Sequence, residues 1–535
     1  MVYKQPERSA VARYARFAVT LLGGAALALF SLGGAAGRPQ VRTHYGGTLY
    51  VGMGNGEPDA LDPTLSRTFS AVEVFRTICE RLYDFDGNPK IVPQLAAALP
   101  TISKDKRTYT IPLRKGIEFN DGTPLNAQAV VTTIERDLML PASARASDFP
   151  AIDGVYANDP YTVVIHLAAP FTPMTQLLAT NDGIIMSPTQ LAKLGNNFAT
   201  DPICVGPFMF DNRVAGASIT VIKSPYYYDQ GAVHLDKIVF EVENDAAAAT
   251  AALEAGDLQV LDNVSTTELP AIQQDSNLRL IPQDSWGWNG VTFNIGNKNG
   301  VGSLPYGGVN TPFAVDAGLR KAFAEAIDRA TLARVVFSSD VQPGCTPIPP
   351  ESSVYDPTVQ CTPYNPADAR RLVAASGVAN PTLDLLTPNT TDSLRLAQFI
   401  QAEEAAVGIN VVIDSTDLAT AVAEATSGNF QAYLDSFSGS ADIDKDIYQF
   451  VDTSGANDRS GYSSPRLDLI LANTRKAQTP KALTTLYRAA AQTLLGDLPI
   501  VFLYHPIKYA AVSNTVAGVQ FFFDAQLRLG FAQLK

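Results

Sequence analysis

The sequence predicts a mixed α/β protein with more than one domain. Segments with the two-residue period of strands alternate with segments that have the 3.6-residue period of helices, and this order is typical of α/β folds. The chain has 535 residues, which is about three to four times the size of a common domain. Its residues are 46% apolar and 17% charged. This composition predicts a large core and argues against disorder.

In the first half of the chain, strand patterns are more frequent than helix patterns. Val74, Ile78 and Leu82 are spaced as on one helix face, so a helix is expected at 71–83. An alanine-rich helix is expected at 245–255, where Gly256 would end it. Apolar alternation and β-branched residues predict strands at 48–53, 108–113, 162–167, 218–223 and 237–242.

Helices in the second half of the chain have clearer end signals. A helix that begins at Pro312 is expected to continue through Ile327. Asn365 and the proline after it supply an N-cap and a first-turn proline for a helix that Gly377 stops. A further helix at 391–407 and a strand at 409–413 continue the alternation.

Residues 1–36 are predicted to be a secretory signal peptide. Four basic residues lie among the first 16 residues, and an uncharged stretch that ends in small residues follows at 17–37. Cleavage after Ala36 would export the chain to the periplasm or another extracytoplasmic compartment. The alternative is an uncleaved N-terminal anchor, because 21 uncharged residues can span a bilayer. No cysteine lies near the cleavage site, so a lipid-anchored form is not expected.

The four cysteines of an exported protein are expected to pair, because the compartment is oxidising. Cys79, Cys204, Cys345 and Cys361 allow three pairings. Cys345 and Cys361 are 16 residues apart in a proline-rich loop, where a disulfide can replace missing secondary structure. Cys79 and Cys204 would be the second pair. The chain has no CxxC pair, which leaves zinc and thioredoxin-type chemistry without support.

Composition and motifs argue against nucleic-acid binding and catalysis. The net charge is −13, whereas a protein that binds phosphate backbones needs a basic face. The sequence has no GxxxxGK[ST], HExxH or GxSxG motif, and its four histidines are far apart. We therefore expect a protein that is not an enzyme, with no catalytic residues, no cofactor and no metal site.

Several longer segments of the sequence are distinctive combinations of strand, turn and helix signals. The most specific is TYTIPLRKGIEFNDGTPLNAQAVVTTIER at 108–136, with a strand, an Arg-Lys-Gly turn, an Asp-Gly-Thr-Pro turn and a helix. The others are LDPTLSRTF, ICERLYDFDG, IVPQLAAALP, CVGPFMF, PFAVDAGLRKAFAEAIDRATL, YNPADARRLVAASG and GYSSPRLDLILANTR. In this order the segments resemble the family 5 extracellular solute-binding proteins, which serve ABC importers of peptides, nickel and related solutes.

The resemblance implies the two-lobed periplasmic binding protein fold of class II, cluster C. Two α/β lobes would face each other across a cleft and be joined by two crossing strands. We expect lobe I at 46–285, with an extra subdomain inserted at about 80–200, lobe II at 286–504 and a C-terminal return to lobe I at 505–535. Cys79 and Cys204 would lie at the two ends of the subdomain, where the crossings are side by side, so a disulfide between them is geometrically reasonable.

The resemblance also points to residues on both sides of the cleft. Asp442 and Asp444 match the Asp-x-Asp pattern of a family segment that supplies a carboxylate to a peptide's amino group, with an isoleucine where the family usually has a proline. The alternative is that these aspartates cap a helix that begins near Lys445. From lobe I, Thr68 and Phe69 in the loop after LDP are the expected contributors.

Four further residues are candidate ligand contacts, and three of them are expected at the crossing between lobes. Trp286 and Trp288 are the only tryptophans of the chain, and an aromatic ring in the cleft could stack on a ligand. The alternative is that they belong to the core. Asn294 matches a Phe-Asn pair of the family and could form a hydrogen bond across the hinge. Tyr462 follows a glycine in the GYSSP turn and is the weakest of the four.

The function implied by the resemblance is that of the exported substrate-binding component of an ABC importer. It would capture a small ligand in the interlobe cleft, with a di- or oligopeptide as the favoured class, and deliver it to a membrane permease as a monomer. Nickel chelates, opines, glutathione and haem remain open as ligands. A secreted hydrolase, or a sensor or chaperone on the same fold, are the alternatives from other functional classes.

Overall fold

Strands and helices alternate along the chain, which confirms the predicted α/β class. The computed structural model describes residues 45–66, 68–87, 90–338, 340–439, 442–477 and 479–535, and the predicted signal peptide lies outside these residues. The strands in the described residues are β1 (Thr48–Met53), β2 (Tyr83–Phe85), β3 (Ile91–Pro93), β4 (Thr101–Ile102), β5 (Thr108–Pro112), β6 (Ile152–Asp159), β7 (Thr162–Leu167), β8 (Phe208–Val214), β9 (Ser218–Lys223), β10 (Lys237–Val242), β11 (Val260–Leu261), β12 (Leu278–Asp284), β13 (Trp288–Phe293), β14 (Val341–Pro343), β15 (Thr382–Pro388), β16 (Asn410–Thr416), β17 (Ala432–Phe437), β18 (Ile500–Ser513), β19 (Val516–Ala517), β20 (Gln520–Phe521), β21 (Leu527–Arg528) and β22 (Gln533–Leu534).

The helices are longest in the second half of the chain. Short 3₁₀ turns lie at Asn181–Gly183, Gly195–Thr200 and Gln230–Ala232. The α-helices in the described residues are α1 (Phe69–Ile78), α2 (Ala127–Met139), α3 (Met174–Leu177), α4 (Pro188–Leu194), α5 (Ala246–Ala255), α6 (Leu269–Gln274), α7 (Pro312–Val315), α8 (Ala317–Ala326), α9 (Arg329–Val336), α10 (Pro366–Ala375), α11 (Thr391–Ala405), α12 (Leu418–Ser427), α13 (Ile443–Val451), α14 (Pro465–Thr474) and α15 (Pro480–Asp497).

One twelve-stranded sheet extends through both lobes. Its main path has the order β16-β15-β17-β13-β18-β11-β1-β10-β9-β8, and β12 and β14 pair with β18 beside this path. The half from β11 to β8 belongs to lobe I, where β1 is parallel to β10 and β11. The half from β16 to β13 belongs to lobe II, where β15 is parallel to β16 and β17.

Two chain segments cross between the lobes side by side. The first is the passage from β12 to β13, in which only residues 285–287 separate the two strands. The second is β18, whose first residues pair with β13 in lobe II and whose last residues pair with β12 in lobe I. The two crossing strands implied by the resemblance are therefore present, and they place the lobes on either side of a cleft.

A separate four-stranded sheet with the order β4-β5-β7-β6 lies between α1 and β8 in sequence. Its strands are antiparallel, and alternate residues of β5 and β7 are buried, among them Tyr109, Ile111, Val163 and Ile165. Helix α2 contributes Val130 and Ile134 to the same core. This sheet is the inserted subdomain, and it forms one wall of the cleft.

Two predicted helices have different ends in the structure. Helix α1 ends at Ile78, not at Tyr83, because Cys79 takes an extended conformation that leads into the disulfide and β2. The helix that begins at Pro312 is interrupted at Asp316. The Asp316 carboxylate accepts hydrogen bonds from the backbone N–H groups of Gly318 and Leu319 and so caps α8. A local cap therefore divides what the apolar spacing predicts as one helix.

Both predicted disulfides are present. Cys79 and Cys204 are bonded with a Cα–Cα distance of 4.9 Å, and Cys345 and Cys361 are bonded at 5.6 Å. The first bond closes the inserted subdomain at its base, and the second holds the proline-rich loop of lobe II. Within the described residues, no helix combines the length and apolar character that a membrane crossing requires.

Candidate functional site

A cavity of about 620 Å³ lies between the lobes, and we call it the first cavity. Lobe I and its inserted subdomain supply one wall, and lobe II supplies the other through the end of β17, α13 and the end of α14. The lining on the lobe I side includes Ser66, Thr68, Phe69, Arg145, Asp148 and Phe171. The lining on the lobe II side includes Phe437, Ser438, Gly439, Asp442, Asp444, Lys445, Tyr448 and Arg475. A ligand inside would contact both lobes at once.

Acidic and basic side chains are equal in number around this cavity. The cations are Arg145, Lys445 and Arg475, and the carboxylates are Asp148, Asp442 and Asp444. Arg475 donates to Asp444 Oδ2 from Nε at 2.9 Å and lies within 2.8 Å of it through Nη2. Its guanidinium carbon also lies 3.6 Å from the centre of the Tyr448 ring. A wall with balanced charge suits a zwitterionic or neutral solute, because a buried net charge would need a counter-charge.

The carboxyl groups of Asp442 and Asp148 are perturbed by their surroundings. Burial, followed by the neighbouring charge of Asp444, raises the pKa of Asp442 to about 7. Burial, followed by the charge of Asp182, raises the pKa of Asp148 to about 6, although Lys445 opposes this rise. Such shifts concentrate at functional sites, where charges are held in a cavity with little water.

The lobes contact each other directly at the edge of the first cavity. Lys445 Nζ of α13 lies 2.5 Å from Asp148 Oδ2, which belongs to the loop between α2 and β6. Thr172 of the inserted subdomain donates its backbone N–H to the carbonyl of Arg475 at 2.8 Å. A third contact joins Thr266 Oγ1 of lobe I to an Asp392 carboxylate oxygen of lobe II at 3.1 Å. These bonds hold the lobes together around the space for a ligand.

The loop after β17 passes very close to the first crossing. Gly439 has a φ of +83°, and a Cβ there would lie 2.3 Å from the backbone nitrogen of Gly287. Ser285 Oγ also donates to the carbonyl of Ser438 at 2.8 Å. Only glycine allows this approach without a shift of the backbone. The crossing therefore holds this loop in place where Phe437, Ser438 and Gly439 line the first cavity.

A second cavity of about 470 Å³ lies on the other side of that loop. Phe437 and Ser438 line both cavities, and a small pocket between them is lined by Phe69 and Ser438 together with Asn263 and Lys508. The second cavity is also bounded by lobe I residues at 263–266 and by lobe II residues of β13, β17 and α11. The two cavities therefore lie side by side in the cleft, with Phe437 and Ser438 lining both.

The structure brings four of the residues predicted from sequence together. Thr68 and Phe69 line the first cavity from lobe I, and Asp442 and Asp444 line it from lobe II. Thr68 Oγ1 donates to Asp59 Oδ1 at 2.7 Å. Asp442 is also the N-cap of α13, where it accepts from the N–H of Asp444 at 3.0 Å. Asp442 therefore both caps α13 and lines the first cavity.

The two tryptophans are core residues, which corrects the expectation that one of them is exposed to the cleft. Trp286 is 3% exposed and Trp288 is 0% exposed, and neither lines the first or the second cavity. The ring of Trp286 packs against Phe523 at 4.8 Å, and that of Trp288 lies 5.0 Å from Phe450 and from Phe502. Apolar side chains surround both tryptophans, so the two rings stabilise the crossing by packing in the core.

Asn294 and Tyr462 also have structural surroundings that differ from the expectation. The Asn294 amide nitrogen lies within 3.0 Å of the carbonyls of Asn297 and Gly428, both in lobe II. It therefore organises a loop of lobe II and does not bond across the hinge. The Tyr462 hydroxyl donates to Asp497 Oδ2 at 2.5 Å, and the side chain lines neither of the two cavities.

Sequence reasoning missed the partners that complete the first cavity. Arg145, Asp148 and Arg475 belong to it, yet Arg145 and Asp148 occur in an irregular loop without any motif. Arg475 is the last residue of the GYSSPRLDLILANTR segment, and Lys445 follows Asp444 directly. A search for basic residues beside the predicted aspartates could have found Lys445, but not the other three.

Comparison with known proteins identifies the family. The model of the bacterial extracellular solute-binding proteins, family 5 Middle, matches residues 90–458. This protein belongs to that family. The two-lobed fold and the solute-binding function expected from the sequence are therefore confirmed.

One curated protein and two solved structures are similar to this chain. The glutathione-binding protein GsiB of Pectobacterium atrosepticum is 26% identical over 475 residues, which cover 86% of this chain and 89% of GsiB. The periplasmic binding protein DppA of Helicobacter pylori, in complex with the peptide STSA, has a TM-score of 0.79 and 21% identity over 92% of this chain and 98% of DppA. The oligopeptide-binding protein AppA of Bacillus subtilis, in complex with a nonapeptide, has a TM-score of 0.78 and 21% identity over 92% of this chain and 100% of AppA.

Proposed function

We propose that this solute-binding protein captures a peptide-like zwitterion in the interlobe cleft and delivers it to the membrane permease of an ABC importer. The observation that carries the proposal is the first cavity, which both lobes line with equal numbers of cations and carboxylates. The names of the relatives support the same class, because GsiB is called glutathione-binding and the structures of DppA and AppA contain peptides.

A zwitterionic ligand would be held by groups from both lobes. Its ammonium needs a carboxylate when water is excluded, and Asp442 is the carboxylate we assign to it. Ligand contacts to both lobes would add to the direct bond between Lys445 and Asp148. Because a ligand shifts an equilibrium only by binding one state better, these two-sided contacts are what would favour the closed form.

The remaining expectations from the sequence belong to the same proposal. The chain is exported through residues 1–36, acts outside the cytoplasm and works as a monomer. Lobe I comprises residues 46–285, with the subdomain at about 80–200, lobe II comprises 286–504, and 505–535 return to lobe I. The position of the β12-to-β13 crossing supports a change of lobe near residue 286.

The test combines ligand discovery with a measure of closure. Native mass spectrometry of the purified protein would identify a solute carried through purification, and thermal shift with tri-alanine and glutathione would follow. A ligand at 100 times its Kd should stabilise the protein by about 2.7 kcal/mol, and small-angle scattering should show a smaller radius of gyration. If neither peptide changes the melting temperature or the radius, and the carried solute is not a zwitterion, the proposed ligand class is wrong.

A further inference from the structure

Among the described residues that line the cleft, Lys508 is a cation whose ammonium group has no direct partner. It lies on β18 and lines both the second cavity and the small pocket beside Ser438. Arg475, Lys445 and Arg145 of the first cavity each lie within 4.0 Å of a carboxylate. The side chain of Lys508, in contrast, forms no hydrogen bond and no ion pair with any residue in the described part of the chain, although its backbone pairs with Gln283 in the sheet.

The two carboxylates whose charges act on Lys508 are engaged elsewhere. Asp262 accepts from the N–H of Gly54 at 2.6 Å and from Asn55 Nδ2 at 3.3 Å. Asp392 accepts from Thr266 Oγ1 at 3.1 Å. Burial lowers the pKa of Lys508, while Asp262 and Asp392 oppose this change. A half-buried ammonium without a direct acceptor has three donors available for a ligand.

Asp340, the other carboxylate that lines the second cavity beside Asp392, also has a hydrogen-bond partner. Asp340 accepts from the Tyr509 hydroxyl at 2.8 Å. The side-chain amide of Asn289, on β13, lines the same cavity and makes no hydrogen bond to a described residue. Lys508 and Asn289 therefore offer unused donors in a chamber whose acidic groups are held by their own neighbours.

We infer that Lys508 binds the anionic end of the ligand, and that the ligand is a carboxylate-bearing solute which extends from the first cavity past Ser438 toward the second. This inference rests on the proposed function and specifies the ligand class further. The pocket between the cavities shares Phe69 and Ser438 with the first and Asn263 with the second. An elongated zwitterion can place its ammonium near Asp442 and its carboxylate at Lys508, where a charge-assisted hydrogen bond forms.

The experiment compares a free acid with its amide. Calorimetry would give the affinities of tri-alanine and tri-alanine amide for the parent protein and for Lys508→Gln, Lys508→Arg and Lys237→Gln. Lys237 is the matched control, since it is also a half-buried strand lysine but lines neither cavity. Melting temperatures without ligand would show that each variant is folded.

The parent and Lys237→Gln should prefer the free acid. Lys508→Gln should lose about 30-fold or more of its affinity for the acid while its affinity for the amide stays nearly unchanged. Lys508→Arg should keep part of the preference. A Lys508→Gln variant that retains the preference of the parent would overturn the inference while leaving the proposed function intact.

A second set of probes separates failure of the inference from failure of the proposed function. Succinate and inorganic phosphate would be tested by thermal shift on the same four proteins. If neither peptide binds the parent but succinate or phosphate stabilises it and not Lys508→Gln, the proposed peptide ligand is wrong and the anion site stands. If no probe shows an effect that depends on Lys508, the inference is wrong.

Discussion

The two aspartates of the Asp-x-Asp pattern differ in what surrounds them. Asp444 is bound by Arg475 through two nitrogens, whereas Asp442 caps α13 and has a pKa that burial and the charge of Asp444 raise to about 7. Asp442→Asn should therefore weaken tri-alanine binding by about 30-fold or more, because the ligand ammonium loses its counter-charge. Asparagine is an equally good N-cap, so the melting temperature should change little.

The matched comparison uses N-acetylated tri-alanine, which has no ammonium. Asp442→Asn and the parent should bind it alike. Asp444→Asn should instead lower the melting temperature, since it leaves Arg475 without its carboxylate. Equal binding of the free and acetylated peptides by the parent and by Asp442→Asn would show that Asp442 is a helix cap only.

The raised pKa of Asp442 makes binding dependent on pH. Because burial and the charge of Asp444 raise the pKa of Asp442 to about 7, the carboxyl gains a proton as the pH falls from about 8 to about 5.5. The neutral form attracts an ammonium less, so the affinity for tri-alanine should fall over this range. The charge of Lys445, beside Asp442, opposes the rise of this pKa. Calorimetry at both pH values should show a smaller change for Asp442→Asn. An equal change in the variant would assign the pH dependence to another group.

Glu404 is a buried carboxyl group whose ionisation is unfavourable in the folded state. It is 0% exposed on α11, and neither of its carboxylate oxygens has a hydrogen-bond partner in the described part of the chain. Burial raises its pKa well above the usual value. The folded state then holds a proton that the unfolded state releases, so this group costs more stability as the pH rises above about 4.5.

Glu404→Leu should therefore raise the free energy of unfolding by about 1–3 kcal/mol at pH 8 and by less at pH 5. Urea denaturation at the two pH values measures this difference. Glu254→Gln, at an exposed position of α5, is the control and should have no effect. A destabilised Glu404→Leu variant would mean that the glutamate has a role that its surroundings do not reveal.

At the level of elements, the loop between β17 and α13 depends on its contact with the first crossing. Gly439→Ala would place a methyl group 2.3 Å from the nitrogen of Gly287, so the loop and the crossing must separate. We expect a lower melting temperature and loss of ligand binding, measured by thermal shift with the ligand found by native mass spectrometry.

Gly216→Ala is the matched control for this change. Gly216 also has a positive φ, of +71°, but a Cβ there would meet nothing within 4 Å. Both variants bear the cost of a left-handed residue, about 1–2 kcal/mol, but only Gly439→Ala disturbs the cleft. If the two variants bind ligand alike, the close approach at Gly439 is not required for function.

At the level of the whole molecule, the bond between Lys445 and Asp148 connects the two lobes. Asp148→Asn removes that ion pair, so the open form should gain population. Small-angle scattering should show a larger radius of gyration for the unliganded variant, and ligand affinity should fall by about 5-fold or more. Asp153→Asn is the control, because the bond of Asp153 to Arg107 lies within the inserted subdomain. A variant with unchanged radius and affinity would show that other contacts determine closure.

The sequence predicted two residues of the first cavity on each lobe and missed charged residues on both. Asp442 and Asp444 lie in a motif that a resemblance can locate, and both line the first cavity. Asp148 lies in a loop with no periodicity, and it enters the cavity only because the inserted subdomain places that loop opposite α13. Trp286 and Trp288 were predicted as candidates for the cleft but are buried in the core. Their position near the crossing does not reveal which side of the chain packs against other side chains and which side faces the cleft.

By itself the sequence determined the α/β class, the bounds of several strands, among them β7, β9 and β10, and helix ends such as the Asn365 cap of α10, because these depend on neighbouring residues. It also determined the family and the two disulfides, since the proline-rich loop pairs Cys345 with Cys361 and leaves Cys79 for Cys204. Only the tertiary structure decided which charges are paired and which are not. Lys508 and Lys445 are both lysines in the cleft, yet only Lys445 lies against a carboxylate of the opposite lobe. That difference arises from residues about 300 positions apart along the chain, and their proximity is set by how the two lobes pack and not by any local pattern.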